Sequence, residues 1–233
     1  MKSWGEEIWE EKIKSQGEVG VICGSVGSLK YVHERTRRTM AMMDSQIIPL
    51  IKKQGKVLDL GVGPMARLSI AFAKRGFKVT GLDISPKTLE FAKRYVENSG
   101  LKNISLIKDD LIGLNKTKGK FDFIFCIETL EHIPKHLSLL AFKSFNKHLN
   151  KKGFCFVEFA IINEIKIKTL THNLIYWMGH KIKKKIAKRK AFSVTCYTYT
   201  LDETRDIFKR TGFKEIKKVG NSFLLQKVSE CKL

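Results

Sequence analysis

Three carboxylates and two glycines carry the most specific chemistry in this chain. Val57-Leu-Asp59-Leu-Gly61-Val-Gly63 runs a short apolar strand straight into a glycine turn. An open α/β sheet builds a nucleotide-sized pocket in this way, at the carboxyl end of a strand. Gly61 and Gly63 remove side chains where the backbone turns sharply and a ligand comes close. Asp59 places a carboxylate just before the turn, so the pocket favours hydroxyls or positive charge. Asp83 closes the next alternating segment, Gly76 to Asp83, about twenty residues further on, where a carboxylate can accept from both hydroxyls of a ribose. Ile104 to Asp110 supplies a third strand, ending in Asp109 and Asp110. A fourth, Phe121 to Ile127, leads into Glu128-Thr-Leu-Glu131-His132-Ile133. On a helical turn Glu128, Glu131 and His132 would share one face, a spacing that can hold a divalent cation. His132, whose imidazole titrates near neutrality, is the candidate general base for an acceptor that holds a proton. With Ala66 the turn also fits G-x-G-x-x-A, and alone it does not separate a dinucleotide from another adenosine ligand.

The elements that must position these groups follow from periodicity. Trp4, Ile8, Trp9 and Ile13 recur at helical spacing among charges and predict an amphipathic first helix. A glycine-rich connector, Gly17 to Gly27, leads to a second helix from Leu29 to Lys53, kinked near Pro49. The region 1–53 then forms a helical lid ahead of the sheet. Further helices are predicted at Ala66–Lys74, Pro86–Asn98 and Leu137–Leu149, with a fifth strand at Gly153–Ile161. Leu201–Arg210, Phe213–Val219 and Ser222–Val228 read as helix, strand, strand.

In order, Asp59-Leu-Gly61-Val-Gly63, Leu82-Asp83-Ile84-Ser85, Lys108-Asp109-Asp110-Leu111 and Phe121-Asp122 through Leu130-Glu131-His132-Ile133 resemble the successive motifs of class I S-adenosylmethionine-dependent methyltransferases. The resemblance covers roughly residues 55–160, and is nearest to the methyltransferase type 11 and ubiquinone-pathway members. It implies a single doubly wound domain over 1–233: a seven-stranded, mostly parallel α/β sheet with an antiparallel C-terminal hairpin. It also implies S-adenosyl-L-methionine as cofactor. Asp59 and Gly61 would line its methionine end, Asp83 would hold the ribose hydroxyls, Asp110 would accept from the adenine amino group and Ile127 would pack near the sulfonium, with Gly63, Ile84 and Leu111 also binding the cofactor. Family members draw an arginine for the cofactor's carboxylate from the helix before the first strand, which points to Arg38. The Glu-x-x-Glu-His pattern is similar to the metal-binding motif of ubiquinone-pathway O-methyltransferases and of small-RNA 3′-end methyltransferases. These differ in substrate, so the motif leaves quinone precursor and RNA both open. One position departs: Met65 stands where the family usually has a third glycine. That keeps a catalytically silent binding module among the readings.

Charge adds a second line of argument. The formal net charge is +21, and residues 161–233 hold 17 Lys/Arg against 6 Asp/Glu. The excess peaks in His180 to Lys190, within a basic insertion at 162–198. Ile175, Met178, Ile182 and Ile186 recur there at helical spacing. The stretch suits a solvated lid helix, a helix on an anionic membrane surface, or a contact to nucleic-acid phosphates. A small-molecule or lipid-like acceptor is the expected partner, with the membrane surface and RNA as alternatives. The five cysteines are scattered and never form C-x-x-C, which argues against a disulfide framework or zinc site and for a reducing interior. The N-terminus lacks an apolar signal core and no apolar run is long enough to span a bilayer. The expectation is a cytoplasmic protein, soluble or peripheral to a membrane.

Overall fold

The computed structural model describes residues 4–23, 29–162 and 196–231. The basic stretch 181–190 lies outside them, and with it the three readings of its charge. Seven strands form one sheet in the order β3-β2-β1-β4-β5-β9-β8. β1 (Lys56–Leu60), β2 (Lys78–Asp83), β3 (Ile104–Lys108), β4 (Phe121–Cys126) and β5 (Leu149–Glu158) are parallel. β8 (Phe213–Val219) and β9 (Ser222–Lys227) close the sheet antiparallel. Two short strands, β6 (Ala160–Ile161) and β7 (Thr198–Tyr199), pair on their own. The expected mostly parallel sheet with its antiparallel hairpin is thus present.

Strand periodicity splits the core in two. Leu58, Leu60, Ile124, Cys126 and Val157 pack with Phe142, Phe145 and Phe208, which come from α5 (Ser138–His148) and α6 (Leu201–Arg210). The alternate residues Val57, Phe123, Phe125 and Phe156 pack with Met43 of α2 (Leu29–Gln46) and Phe72 of α3 (Arg67–Ala73). Phe72 stacks on Phe125 with ring centroids 5.0 Å apart. Both faces of β1 and β4 are therefore covered, and their apolar runs are continuous for that reason.

Several boundaries differ from the sequence reading. α1 (Trp4–Cys23) continues through Gly17, which breaks the helical path with φ 68° and ψ 179°, so the connector starts later than expected. α2 stops at Gln46, and Pro49 sits in a separate 3-10 turn. α3 begins at Arg67 because Ala66 adopts a left-handed conformation, leaving Pro64 and Met65 in the turn and not at a helix start. β5 begins at Leu149 and ends at Glu158. α4 spans Pro86–Asn98 as expected, capped by the Ser85 side chain on the Thr88 amide.

Candidate functional site

A cleft of about 630 Å³ opens at the carboxyl ends of β1, β2 and β4. Its floor is the glycine turn, pinned to the end of β2 by the Gly61 and Val62 amides, which donate to the Leu82 carbonyl at 3.0 and 2.8 Å. The two glycines serve different ends. A Cβ at Gly61 would lie 2.3 Å from Thr129 Oγ1, so space and a φ of +79° both demand glycine. Gly63 has φ +66°, but a Cβ there would meet nothing within 4 Å. That empty volume faces the cleft, and the Gly63 amide donates to Asp83 Oδ2 at 3.3 Å.

The carboxylates are buried at a cost. Asp59 accepts from Ser69 Oγ at 2.7 Å, yet burial raises its pKa to about 7. Asp83 accepts from the Ser85 and Gly63 amides, and burial still raises it to about 6, with Glu10 adding to the rise. The neighbours Asp109 and Asp110 divide the work. Asp109 is consumed by its own loop, accepting from the Lys116 and Thr117 amides and the Thr117 hydroxyl at 2.7–2.9 Å. Asp110 accepts from the Ile112 amide at 2.9 Å and lines the cleft.

Beyond β4 the chain departs from the expected helical turn. Glu128 takes a left-handed φ of 57°, and only Leu130–His132 form a 3-10 turn. Glu128 is drawn to two guanidiniums, those of Arg35 and Arg67, and Arg67 also donates to Thr36 Oγ1 at 3.0 Å. Glu128 lies outside the 3-10 turn that carries Glu131 and His132, although all three line the cleft. Among the described residues no group of three His, Cys, Asp or Glu is arranged to hold a metal ion.

The structure brings Asp59, Gly61, Gly63, Asp83, Ile84, Asp110, Leu111, Ile127 and His132 to this one cleft. Arg38 is not among them. Its side chain is 77% exposed and donates to Glu34 one turn back along α2, at 2.8 Å. Arg35 and Arg67 line the cleft instead. The signal was present in the helix itself: on α2 the buried residues are Val32, Met40 and Met43. At 100° per residue, Arg38 lies roughly 150° from their mean direction and Arg35 only roughly 90°.

α1 crosses the mouth of the cleft. Glu6 pairs with Lys108 at 2.7 Å, and Glu10 accepts from Ser85 Oγ at 2.6 Å and the Lys87 amide at 3.2 Å. Gly5, Trp9, Lys12 and Gln16 of this helix line the cleft, as does Tyr31 from α2.

Residues 57–153 match the family model described as "Methyltransferase domain". That segment, less than half of the chain, is similar to methyltransferase domains, and the sheet that carries it shares the fold of solved methyltransferases. Among curated proteins, the chain is 36% identical over 118 residues to a ubiquinone biosynthesis O-methyltransferase of Actinobacillus pleuropneumoniae serotype 7, covering 49% of each. It is 37% identical over 108 residues to one of Coxiella burnetii, covering 46% of this chain and 44% of that protein. The chain spans about half the length of the curated relatives it matches. Among solved structures, magnesium protoporphyrin IX methyltransferase from Synechocystis PCC 6803 with bound SAH shares the fold at TM-score 0.66 and 19% identity, covering 95% of this chain and 98% of that one. The PH0226 protein from Pyrococcus horikoshii OT3 also reaches 0.66, at 21% identity, covering 94% and 99%.

Proposed function

We propose that this protein transfers a methyl group from S-adenosyl-L-methionine to an oxygen of a small-molecule or lipid-like acceptor. The observation that carries the reading is an open glycine turn and a buried carboxylate facing one cleft: the free volume at Gly63 beside Asp83. The residues fit the cofactor. Asp83 has the place for the ribose hydroxyls and Asp110 for the adenine amino group, with Ile84 and Leu111 as apolar walls. Asp59 and Gly61 lie at the methionine end, Ile127 lies where the sulfonium would sit, and Arg35 takes the carboxylate role first given to Arg38. The names of the curated relatives support an oxygen acceptor in a small, lipid-like molecule.

When bound, the sulfonium supplies a methyl group that is already a strong electrophile, which leaves the protein to align the acceptor and exclude water. α1 covers the cleft and performs the second task. His132, at the acceptor side, receives the proton of an acceptor hydroxyl. Calorimetry with S-adenosylhomocysteine and with NAD tests the cofactor, and labelled methyl transfer to phenols, a lipid extract and total RNA tests the acceptor. Binding of the dinucleotide alone would overturn the reading. Among the described residues no helix is long and apolar enough to cross a membrane.

A further inference from the structure

The family match runs from Val57 to Gly153, and elements outside it also reach the cleft. Two such elements meet at one side. α1 brings Trp9 and Lys12, the segment before β7 brings Cys196, and His132 stands between them. Lys12 Nζ lies 4.3 Å from the centroid of the Trp9 ring. Trp9 meets the His132 imidazole edge-on at 5.3 Å, and Cys196 Sγ is 3.8 Å from His132 Nδ1. The latch of Glu6 on Lys108 and Glu10 on Ser85 fixes α1, and with it the position of the ammonium.

Lys12 is the unexpected member of this group. The cleft is lined by six carboxylates, yet among the described residues Lys12 forms no ion pair with any of them. Its charge rests over an indole face and beside a thiol, and partial burial lowers its pKa from the usual lysine value. A partly buried ammonium without a carboxylate costs free energy, which a cation–π contact offsets only in part. Ligand pockets keep a few such groups because they fix the orientation and the kind of ligand admitted.

We propose that Lys12 selects acceptors bearing an anionic oxygen, a carboxylate or a phenolate, and holds that oxygen beside His132. The inference rests on the methyltransferase reading for what then happens to the acceptor, though not for its binding. If the oxygen is a carboxylate remote from the reacting atom, Lys12 orients the molecule. If it is the phenolate itself, the phenol O–H bond breaks and its proton passes to His132. The oxygen lone pair then forms the O–CH₃ bond as the S–CH₃ bond of S-adenosylmethionine breaks, leaving S-adenosylhomocysteine.

The test uses dihydroxybenzoate, its neutral amide and catechol, with wild type, Lys12→Gln and Lys12→Arg. Calorimetry without cofactor gives the binding of each compound, and labelled methyl transfer gives kcat and KM. For a remote carboxylate, wild type binds the acid about tenfold tighter than the amide, Lys12→Gln abolishes the preference and Lys12→Arg keeps it. For a phenolate, acid and amide bind alike, while kcat with catechol falls about tenfold in Lys12→Gln and recovers in Lys12→Arg at unchanged S-adenosylhomocysteine affinity. The proposal is overturned if Lys12→Gln, folded by circular dichroism, changes neither the acid-to-amide ratio nor kcat by more than about twofold. A wild type that prefers the acid through Lys12 but neither binds S-adenosylhomocysteine nor transfers methyl would sink the methyltransferase reading and leave the Lys12 site standing.

Discussion

The two ends of the parallel strands are built on opposite principles. At the carboxyl ends lie Asp59, Asp83, Asp109 and Asp110, two glycines at positive φ, and Ala66 and Glu128 in left-handed conformations. At the amino ends lie exposed lysines, among them Lys52, Lys53, Lys56, Lys78, Lys102, Lys120, Lys151 and Lys152. Asp122 and Asn146 show polar groups at the amino end paired within the fold. Asp122 accepts from the Lys56 amide and from Asn150, and Asn146 donates to the carbonyls of Thr211 and Ser229, both at 2.9 Å. At the cleft end burial holds Asp59 and Asp83 above their ordinary pKa. One end pairs its polar groups within the fold, whereas the other retains two buried carboxylates, Asp59 and Asp83, that cost stability.

The largest effect should come from the turn. Gly61→Ala combines a disfavoured φ with a close approach to Thr129, and unfolding free energy should fall by about 4 kcal/mol. Gly63→Ala has the strain without the overlap and should cost about 1 kcal/mol of stability, while still weakening S-adenosylhomocysteine binding because its methyl enters the cleft. Urea titration and calorimetry on the two variants check the contrast. Equal losses of stability would show that the two glycines do the same job.

Asn146→Ala examines the other end. It removes the amide that serves the buried Thr211 carbonyl and the part-buried Ser229 carbonyl, and should cost about 2 kcal/mol of stability at unchanged cofactor affinity. Asp83→Ala should do the converse. Losing charge-assisted bonds to the ribose lowers S-adenosylhomocysteine affinity by about 1–3 kcal/mol, and removing a carboxylate raised by burial offsets part of the lost amide bonds.

The same carboxylates give the two properties opposite pH dependences. Folding raises Asp59 to about 7 and Asp83 to about 6, whereas in the unfolded chain both titrate near ~3.9. Between these limits the folded state binds more protons than the unfolded one, so the contribution of this pair to stability falls as pH rises from ~4 towards ~7. Asp59→Asn should flatten that slope in denaturant titrations run across the window. Cofactor affinity should instead rise with pH through about 6, as Asp83 becomes the ionised acceptor that ribose hydroxyls require. A fall in affinity over that range would show that Asp83 is misassigned.

Most of the cleft end was legible in the sequence because its demands are local. A turn that needs glycine, and an acid at the end of a strand, announce themselves within a few residues, as Gly61, Asp83 and Asp110 do. The side of the cleft beyond β4 was less legible because it is assembled from distant segments. Arg35 and Arg67 are 32 positions apart and meet only through Glu128, and the left-handed backbone at Glu128 has no signature in Ile127-Glu128-Thr129. The metal spacing of Glu128, Glu131 and His132 assumed a helical turn that this backbone breaks. Lys12 was invisible for a related reason: a lysine on an amphipathic helix reads as solvated until the helix is laid across a cleft.

The smallest effect belongs to the lysine end. Lys56 and Lys78 are direct cross-strand neighbours in β1 and β2, both exposed, and among the described residues neither has an ion-pair partner. Like charges facing one another across strands repel, by about half a kcal/mol in water at low ionic strength. Replacing both with glutamine should therefore raise stability slightly in dilute buffer. The gain should vanish near ~1 M salt, where the screening length falls to ~3 Å. S-adenosylhomocysteine affinity should not move, since the pair lies a full strand length from the glycine turn. If the double variant is instead less stable at every salt concentration, the lysine stems contribute by covering apolar surface, and the charge of this end is incidental to its packing.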